Sequence, residues 1–250
     1  MMARIRSQMM VLVCLTLLFL VSSSLAAEAA VLQNNASYYI NTGHTMTAAF
    51  KAGTNATFRP DGSVASGTIL NNTSFYINTN RTMTASFQAG TGVSFTPEGS
   101  VAAGTILNNT SFYINTNRTM TASFQAGTGV SFTPEGSVAA GTILNNTSFY
   151  INTNRTMTAS FKAGTGVSFT PEGSVAAGTI LNNTSFYINT NRTMTAAFQA
   201  GSPVSFREEG SVLSGTLLNN TSLYTNVQHT QTAAFRAGTV VTFRPDGSVQ

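Results

Sequence analysis

Catalysis and metal binding need acids, bases, nucleophiles or ligands that converge on one point. This chain offers few of them. Its only histidines are His44 and His229. Six acids run in single file, Asp61, Glu98, Glu135, Glu172, Glu209 and Asp246, at intervals of 37 residues. Calcium needs several oxygen ligands at one place, and one turn carboxylate per 37 residues does not supply them. Each acid sits in a turn, where a carboxylate can bond nearby amides. The single cysteine, Cys14, lies in an apolar leader, so thiol chemistry and disulfides are not expected downstream of it. The sequence reads as a non-enzyme with no cofactor and no metal.

What recurs is neutral. Thr-x-Thr pairs stand at Thr82/Thr84, Thr119/Thr121 and Thr156/Thr158, with counterparts nearer the ends. On a strand, alternate residues share a face, so these pairs could form a flat threonine array of the kind that binds ice. Strand propensity alone also favours threonine. Tyr76, Tyr113, Tyr150 and Tyr187 form a second column, close to Asn78, Asn80, Arg81 and their counterparts. An aromatic ring beside amides and a guanidinium can stack on and hydrogen-bond a glycan. Asn71-Asn72-Thr73 and Asn80-Arg81-Thr82 are acceptor sequons for N-glycosylation in a eukaryotic secretory route, and turn residues otherwise.

These columns exist because the chain is a tandem array. Ile69, Ile106, Ile143 and Ile180 open near-identical copies, so the period is 37 residues. The copies are 32–68, 69–105, 106–142, 143–179, 180–216 and 217–250. A fixed period of this size marks a repeat architecture. Each copy splits into halves of 18–19 residues, matching Phe75 with Val93, Ile77 with Phe95 and Met83 with Val101. Period-2 alternation within each half predicts a β-hairpin. Pro60-Asp61-Gly62 and Pro97-Glu98-Gly99 supply turn chemistry. The apolar face is expected to hold Phe75, Ile77, Met83, Phe87, Val93, Phe95, Val101 and Leu107 with their copies.

The fold class is therefore all-β. Three architectures bury one apolar face: a curled meander sheet of tandem hairpins, a β-solenoid, or a propeller of six four-stranded blades. A blade usually needs more than 37 residues, which places the propeller last.

Residues 1–29 read as a signal peptide, with Arg4 and Arg6, the apolar run Met9–Val21, and small residues at Ala27-Glu28-Ala29. The apolar run is shorter than the ~20 residues that span a bilayer, so no integral membrane segment is expected in the mature chain. Residues 30–250 read as one β-repeat domain. Losing Arg4 and Arg6 from the 12 basic residues and Glu28 from the 8 acids leaves a net charge of +3. The basic residues are evenly spaced, which argues against a nucleic-acid partner. Residues 29–250 hold six whole periods, and both ends fall inside the same kind of strand. The two fragments could complete each other within one molecule as a ring, or between molecules as a head-to-tail fibre. His44 and His229 could meet only in those arrangements.

The stretch Phe95-Thr96-Pro97-Glu98-Gly99-Ser100-Val101-Ala102-Ala103-Gly104 is similar to the strand–turn–strand of MORN (membrane occupation and recognition nexus) repeats. It also resembles hairpin repeats of exported bacterial proteins with the pattern Val-x-Phe-x-Pro-x-Gly-x-Val-x-x-Gly-x-Leu. The resemblance spans the downstream chain and implies an elongated hairpin array. The tryptophan of MORN repeats is missing here, and the period differs.

The functional expectation is an exported, adhesin-like structural protein, secreted, periplasmic or at the cell surface. It would present an extended β surface and self-associate end to end or by strand edges. The alternative is a module that binds cell-surface glycans or ice through the Tyr/Asn or Thr-x-Thr columns.

Overall fold

A computed structural model describes residues 28–250. The signal peptide expected over 1–29 lies outside them, except for Glu28 and Ala29. The described residues form strands and turns only, 24 strands in all. β1 is Glu28–Val31. The first copy gives β2 Ala36–Tyr39, β3 Thr47–Phe50, β4 Asn55–Phe58 and β5 Val64–Thr68. The second gives β6 Thr73–Tyr76, β7 Thr84–Phe87, β8 Gly92–Phe95 and β9 Val101–Thr105. The same four recur as β10–β13 (110–142), β14–β17 (147–179) and β18–β21 (184–216). The last copy supplies β22 Thr221–Tyr224, β23 Thr232–Phe235 and β24 Val240–Thr242.

The two hairpins of each copy go to different layers. The second hairpins join into one antiparallel sheet of 12 strands, in the order β1-β4-β5-β8-β9-β12-β13-β16-β17-β20-β21-β24. The first hairpins, such as β6-β7, stand as six separate two-stranded sheets. The architecture is thus the expected meander, with an excursion into a second layer once per copy. A copy does hold four strands, as a propeller blade would, but it divides them two and two between layers, and neither blades nor solenoid coils form. The long sheet is not closed: among the described residues β1 pairs only with β4, and β24 only with β21.

The core lies between the layers. Phe87 is 0% exposed, and its ring lies on Gly104 of the long sheet. A Cβ at Gly104 would sit 2.8 Å from Phe87 Cδ1, so glycine is what lets the layers approach here. Burying each such ring is worth roughly 1.5–3 kcal/mol. The rings also meet one another. Phe75 contacts Phe87 and Phe95, and Phe87 contacts Phe132 of the next copy, at centroid distances of 6.1, 5.2 and 6.4 Å. Repeated copy by copy, these contacts run without a break from Phe50 to Phe243. Edge-on and tilted geometries suit the ring quadrupoles.

One expectation about the apolar face needs correction. Leu107 is only half-buried, while Ile106 is 1% exposed. The cause is a β-bulge. Phe95 pairs with Val101 but Ser94 pairs with Ala103, which leaves Ala102 as an extra residue. One extra residue moves every later side chain to the opposite face. Gly104 and Ile106 therefore turn inward, and Thr105 and Leu107 turn away.

Candidate functional site

Three surfaces repeat along the array: the outer face of the hairpin row, the hairpin tips, and the uncovered face of the long sheet.

On each outer hairpin, strand pairing fixes which residues stand side by side. Tyr76 lies opposite Thr84, and Ser74 opposite Ser86, whose hydroxyls are 2.8 Å apart. Tyr113 and Thr121, Tyr150 and Thr158, and Tyr187 and Thr195 repeat the pairing. The four tyrosines are half-buried, and the threonines opposite them are exposed. The tyrosine column and the second threonine of each Thr-x-Thr pair therefore form a single surface. Thr82, Thr119 and Thr156 lie outside the strands, in the tips, where their hydroxyls accept from Asn78, Asn115 and Asn152 Nδ2 at 2.9 Å.

The tip is a tight loop held by a buried amide. Asn78 is 1% exposed, and its Oδ1 accepts from the Thr82 and Met83 N–H groups at 3.1 and 2.9 Å. Arg81 adopts φ 53°, a left-handed conformation that costs a non-glycine residue on the order of 1–2 kcal/mol. Its guanidinium donates to the Glu98 carbonyl at 2.9 Å. Thr79 donates its N–H to Pro134 O of the next copy at 3.0 Å, and its hydroxyl donates there too, at 2.7 Å. Asn78 and Arg81, read from sequence as glycan-facing, are thus engaged in holding the loop, and Asn80 is exposed beside them.

His44 and His229 replace arginine in the end copies. His44 Nε2 stands 3.7 Å from Asp61 Oδ2, and His229 Nε2 stands 3.4 Å from Asp246 Oδ2. Each stacks on a tyrosine, Tyr39 or Tyr224, at 4.8 and 4.6 Å. So each histidine meets an acid of its own copy. Asp61 Oδ1 accepts from Ser63 N and Oγ at 3.0 and 2.8 Å, and these bonds hold its carboxyl below the usual range. Burial pushes the Asp246 carboxyl up, but the Ser248 hydrogen bonds and facing His229 outweigh it, so the net direction is again down. Among the described residues, no three His, Cys, Asp or Glu side chains gather as a metal site would require.

The third surface was not singled out from the sequence. The uncovered face of the long sheet forms one groove of about 1160 Å³, reached by residues from Asn55 near one edge to Val240 at the other. A flat sheet of 12 strands at ~4.8 Å spacing would be more than 50 Å wide, so one continuous groove means that the sheet curls around this face. Each inner copy contributes small residues, such as Gly92, Ser94, Ala103 and Thr105, and no charge. The signal was present in the second half-repeat of the three near-identical copies, whose groove-facing positions Gly92, Ser94, Ala103 and Thr105 and their counterparts hold nothing larger than threonine. Among the described residues, no helix is long and apolar enough to cross a membrane. No protein-family model matches the chain, and no curated protein does.

Proposed function

We propose that the chain is an exported, non-enzymatic structural or adhesive protein, secreted, periplasmic or surface-bound, that works by displaying one small surface many times. The observation that supports this most is the outer hairpin face. Tyr76 with Thr84, and Ser74 with Ser86, form a patch that recurs in register on successive hairpins, each anchored through a buried phenylalanine. Identical patches at fixed spacing gain little per site but much together, because binding one raises the effective concentration of the next. The glycan reading attaches to the same patch, since a half-buried tyrosine beside exposed hydroxyls is suited to a sugar ring. Ice binding is weaker, because only Thr84 of each Thr-x-Thr pair lies on the strand face.

The test is retention on glycan-coated surfaces and on intact cells. Three forms are compared: the full chain, a chain lacking residues 106–142, and the Tyr76→Ala/Tyr113→Ala/Tyr150→Ala variant. Display predicts retention that falls steeply with one copy removed and is lost in the triple variant. Retention indifferent to both changes would remove the proposal.

A further inference from the structure

We infer that two joints of the array, between the third and fourth copies and between the fourth and fifth, each hold a monovalent cation of potassium or ammonium size. At these joints threonine replaces an arginine, but the oxygens that arginine binds remain. The inference concerns the joints and does not depend on display.

The template is Arg59, which spans the joint between the first and second copies. Its Nη1 donates to Ile40 O at 3.4 Å, Ser63 Oγ at 3.2 Å and Val64 O at 2.9 Å. Its Nη2 donates to Phe95 O of the next copy at 2.5 Å. Four oxygens thus close on one cation, and none belongs to a carboxylate. Arg207 repeats the arrangement on Ser211 Oγ, Val212 O and, across its joint, Phe243 O. Burial pushes both guanidinium values down, and two turn carboxylates oppose that shift: Asp61 and Glu98 for Arg59, Glu209 and Asp246 for Arg207. Each guanidinium therefore lies in the field of its own turn acid and of the next.

The same column holds Thr133 and Thr170 in the third and fourth copies. The backbone around them repeats that of the arginine copies. Phe132 pairs with Val138, and Phe169 with Val175, as Phe58 pairs with Val64. Ala140 meets Ser168 across the joint as Ser66 meets Ser94. The corresponding oxygens at Thr133 are Ile114 O, Ser137 Oγ, Val138 O and Phe169 O. At Thr170 they are Ile151 O, Ser174 Oγ, Val175 O and Phe206 O. The nearby donors are engaged elsewhere. Ser137 and Ser174 donate to Asn115 O and Asn152 O at 2.7 and 2.8 Å, which leaves their own oxygens free to accept. Arg118 and Arg155 donate to Glu135 O and Glu172 O at 2.7 and 2.9 Å. Thr133 Oγ1 and Thr170 Oγ1 are buried and have no hydrogen-bond partner among the described residues. The paired turn acids are retained, Glu135 with Glu172 and Glu172 with Glu209. At Thr96, by contrast, the threonine and Ser100 hydroxyls bond each other at 2.9 Å, so that joint is satisfied.

The oxygen set selects the ion. Carbonyl oxygens can replace the hydration shell of potassium. Such an ion needs no cluster of acids or histidines, and none is present among the described residues. The template oxygens stand 2.9–3.4 Å from Arg59 Nη1, wider than the roughly 2.3–2.6 Å of calcium contacts. An ion held by Phe169 O or Phe206 O together with oxygens of the preceding copy ties the two copies together, as Arg59 does.

Thermal unfolding of the full chain in salts of equal ionic strength tests this. Unfolding is expected a few degrees higher in potassium or ammonium than in choline, which is too large for the site, with the rise growing as the logarithm of concentration once the sites fill. Thr133→Arg/Thr170→Arg carries its own cations and should unfold at one temperature in all three salts. Thr133→Val/Thr170→Val keeps the shape and removes one oxygen from each site. It should unfold higher than the unaltered chain in choline, because an unpaired buried hydroxyl is gone, and its potassium rise should shrink about twofold. Thallium(I), standing in for potassium, should give a bound resonance by thallium NMR with the full chain and none with the arginine variant. One unfolding temperature in every salt for the unaltered chain would overturn the inference, and would mean that water completes the threonine hydrogen bonds. A potassium rise of full size in either variant would overturn it too, by placing the ion elsewhere.

Discussion

At the scale of single residues, the buried tip asparagine does more than its neighbours. Asn115 is 1% exposed, and its amide makes three hydrogen bonds, to Thr119 N, Met120 N and Thr119 Oγ1. Asn115→Ala leaves two backbone donors without an acceptor, and urea unfolding should show a loss of about 1–3 kcal/mol. Asn115→Asp keeps the acceptor and should lose less. The opposite effect is expected at Thr133, whose buried hydroxyl has no partner among the described residues. Arginine holds this column in the first copy and the last two. Arg59 donates to Val64 O at 2.9 Å and, across the joint, to Phe95 O at 2.5 Å, and Arg207 reaches Phe243 O in the same way. Thr133→Arg should raise stability by about 1 kcal/mol, the net value of such bonds after side-chain ordering. The acids Asp61 and Asp246 give a pH dependence. Their folded-state values lie below the unfolded value of 3.8, so the stability they contribute is present above that value. It is lost as pH falls through the lowered folded values. Hydrogen exchange should show the Ser63 and Ser248 amides opening first as pH is brought below the usual carboxylate range.

At the scale of elements, the close approach of the layers decides the fold. Gly141 carries the Phe124 ring, with a Cβ position 2.8 Å from Phe124 Cδ1. Gly141→Ala should cost about 1–3 kcal/mol by overpacking. Gly129, twelve residues earlier, has nothing within 4 Å of its Cβ position, so Gly129→Ala should change stability by less than about 0.5 kcal/mol. Thermal unfolding of the two variants side by side checks this. The same contacts explain what the sequence could and could not convey. Alternation at Thr84–Phe87 and the Pro-Glu-Gly turn at 97–99 made each hairpin legible, because both are local signals. The split into two layers was not legible. Both half-repeats alternate with the same period, and only the seating of Phe87 on Gly104 tells them apart. Ile106 was missed for Leu107 because a bulge at Ala102 changes phase without changing composition. At the outer patch, the tyrosine and threonine columns were visible separately, but their juxtaposition needed the register Tyr76–Thr84.

At the scale of the whole molecule, the chain is six copies of one joint-forming unit. The pairings β5-β8, β9-β12, β13-β16 and β17-β20 repeat the same register. The phenylalanine contacts and tip-to-turn bonds follow with the same spacing. Stability should then be a sum of nearest-neighbour terms with no long-range closure. It follows that a whole period can be removed without creating a new kind of contact. Excising residues 106–142 sets Thr105 directly before Ile143, the same seam as Thr105–Ile106. The most direct measurement is urea unfolding of that shortened chain, followed by far-ultraviolet circular dichroism. The expected result is an unchanged β spectrum, a cooperative transition, and a denaturant slope lower by about one sixth, in proportion to the surface buried. A shortened chain that fails to fold would mean that the sheet depends on closure or on a unique core, and would contradict an array held together by joints between neighbours.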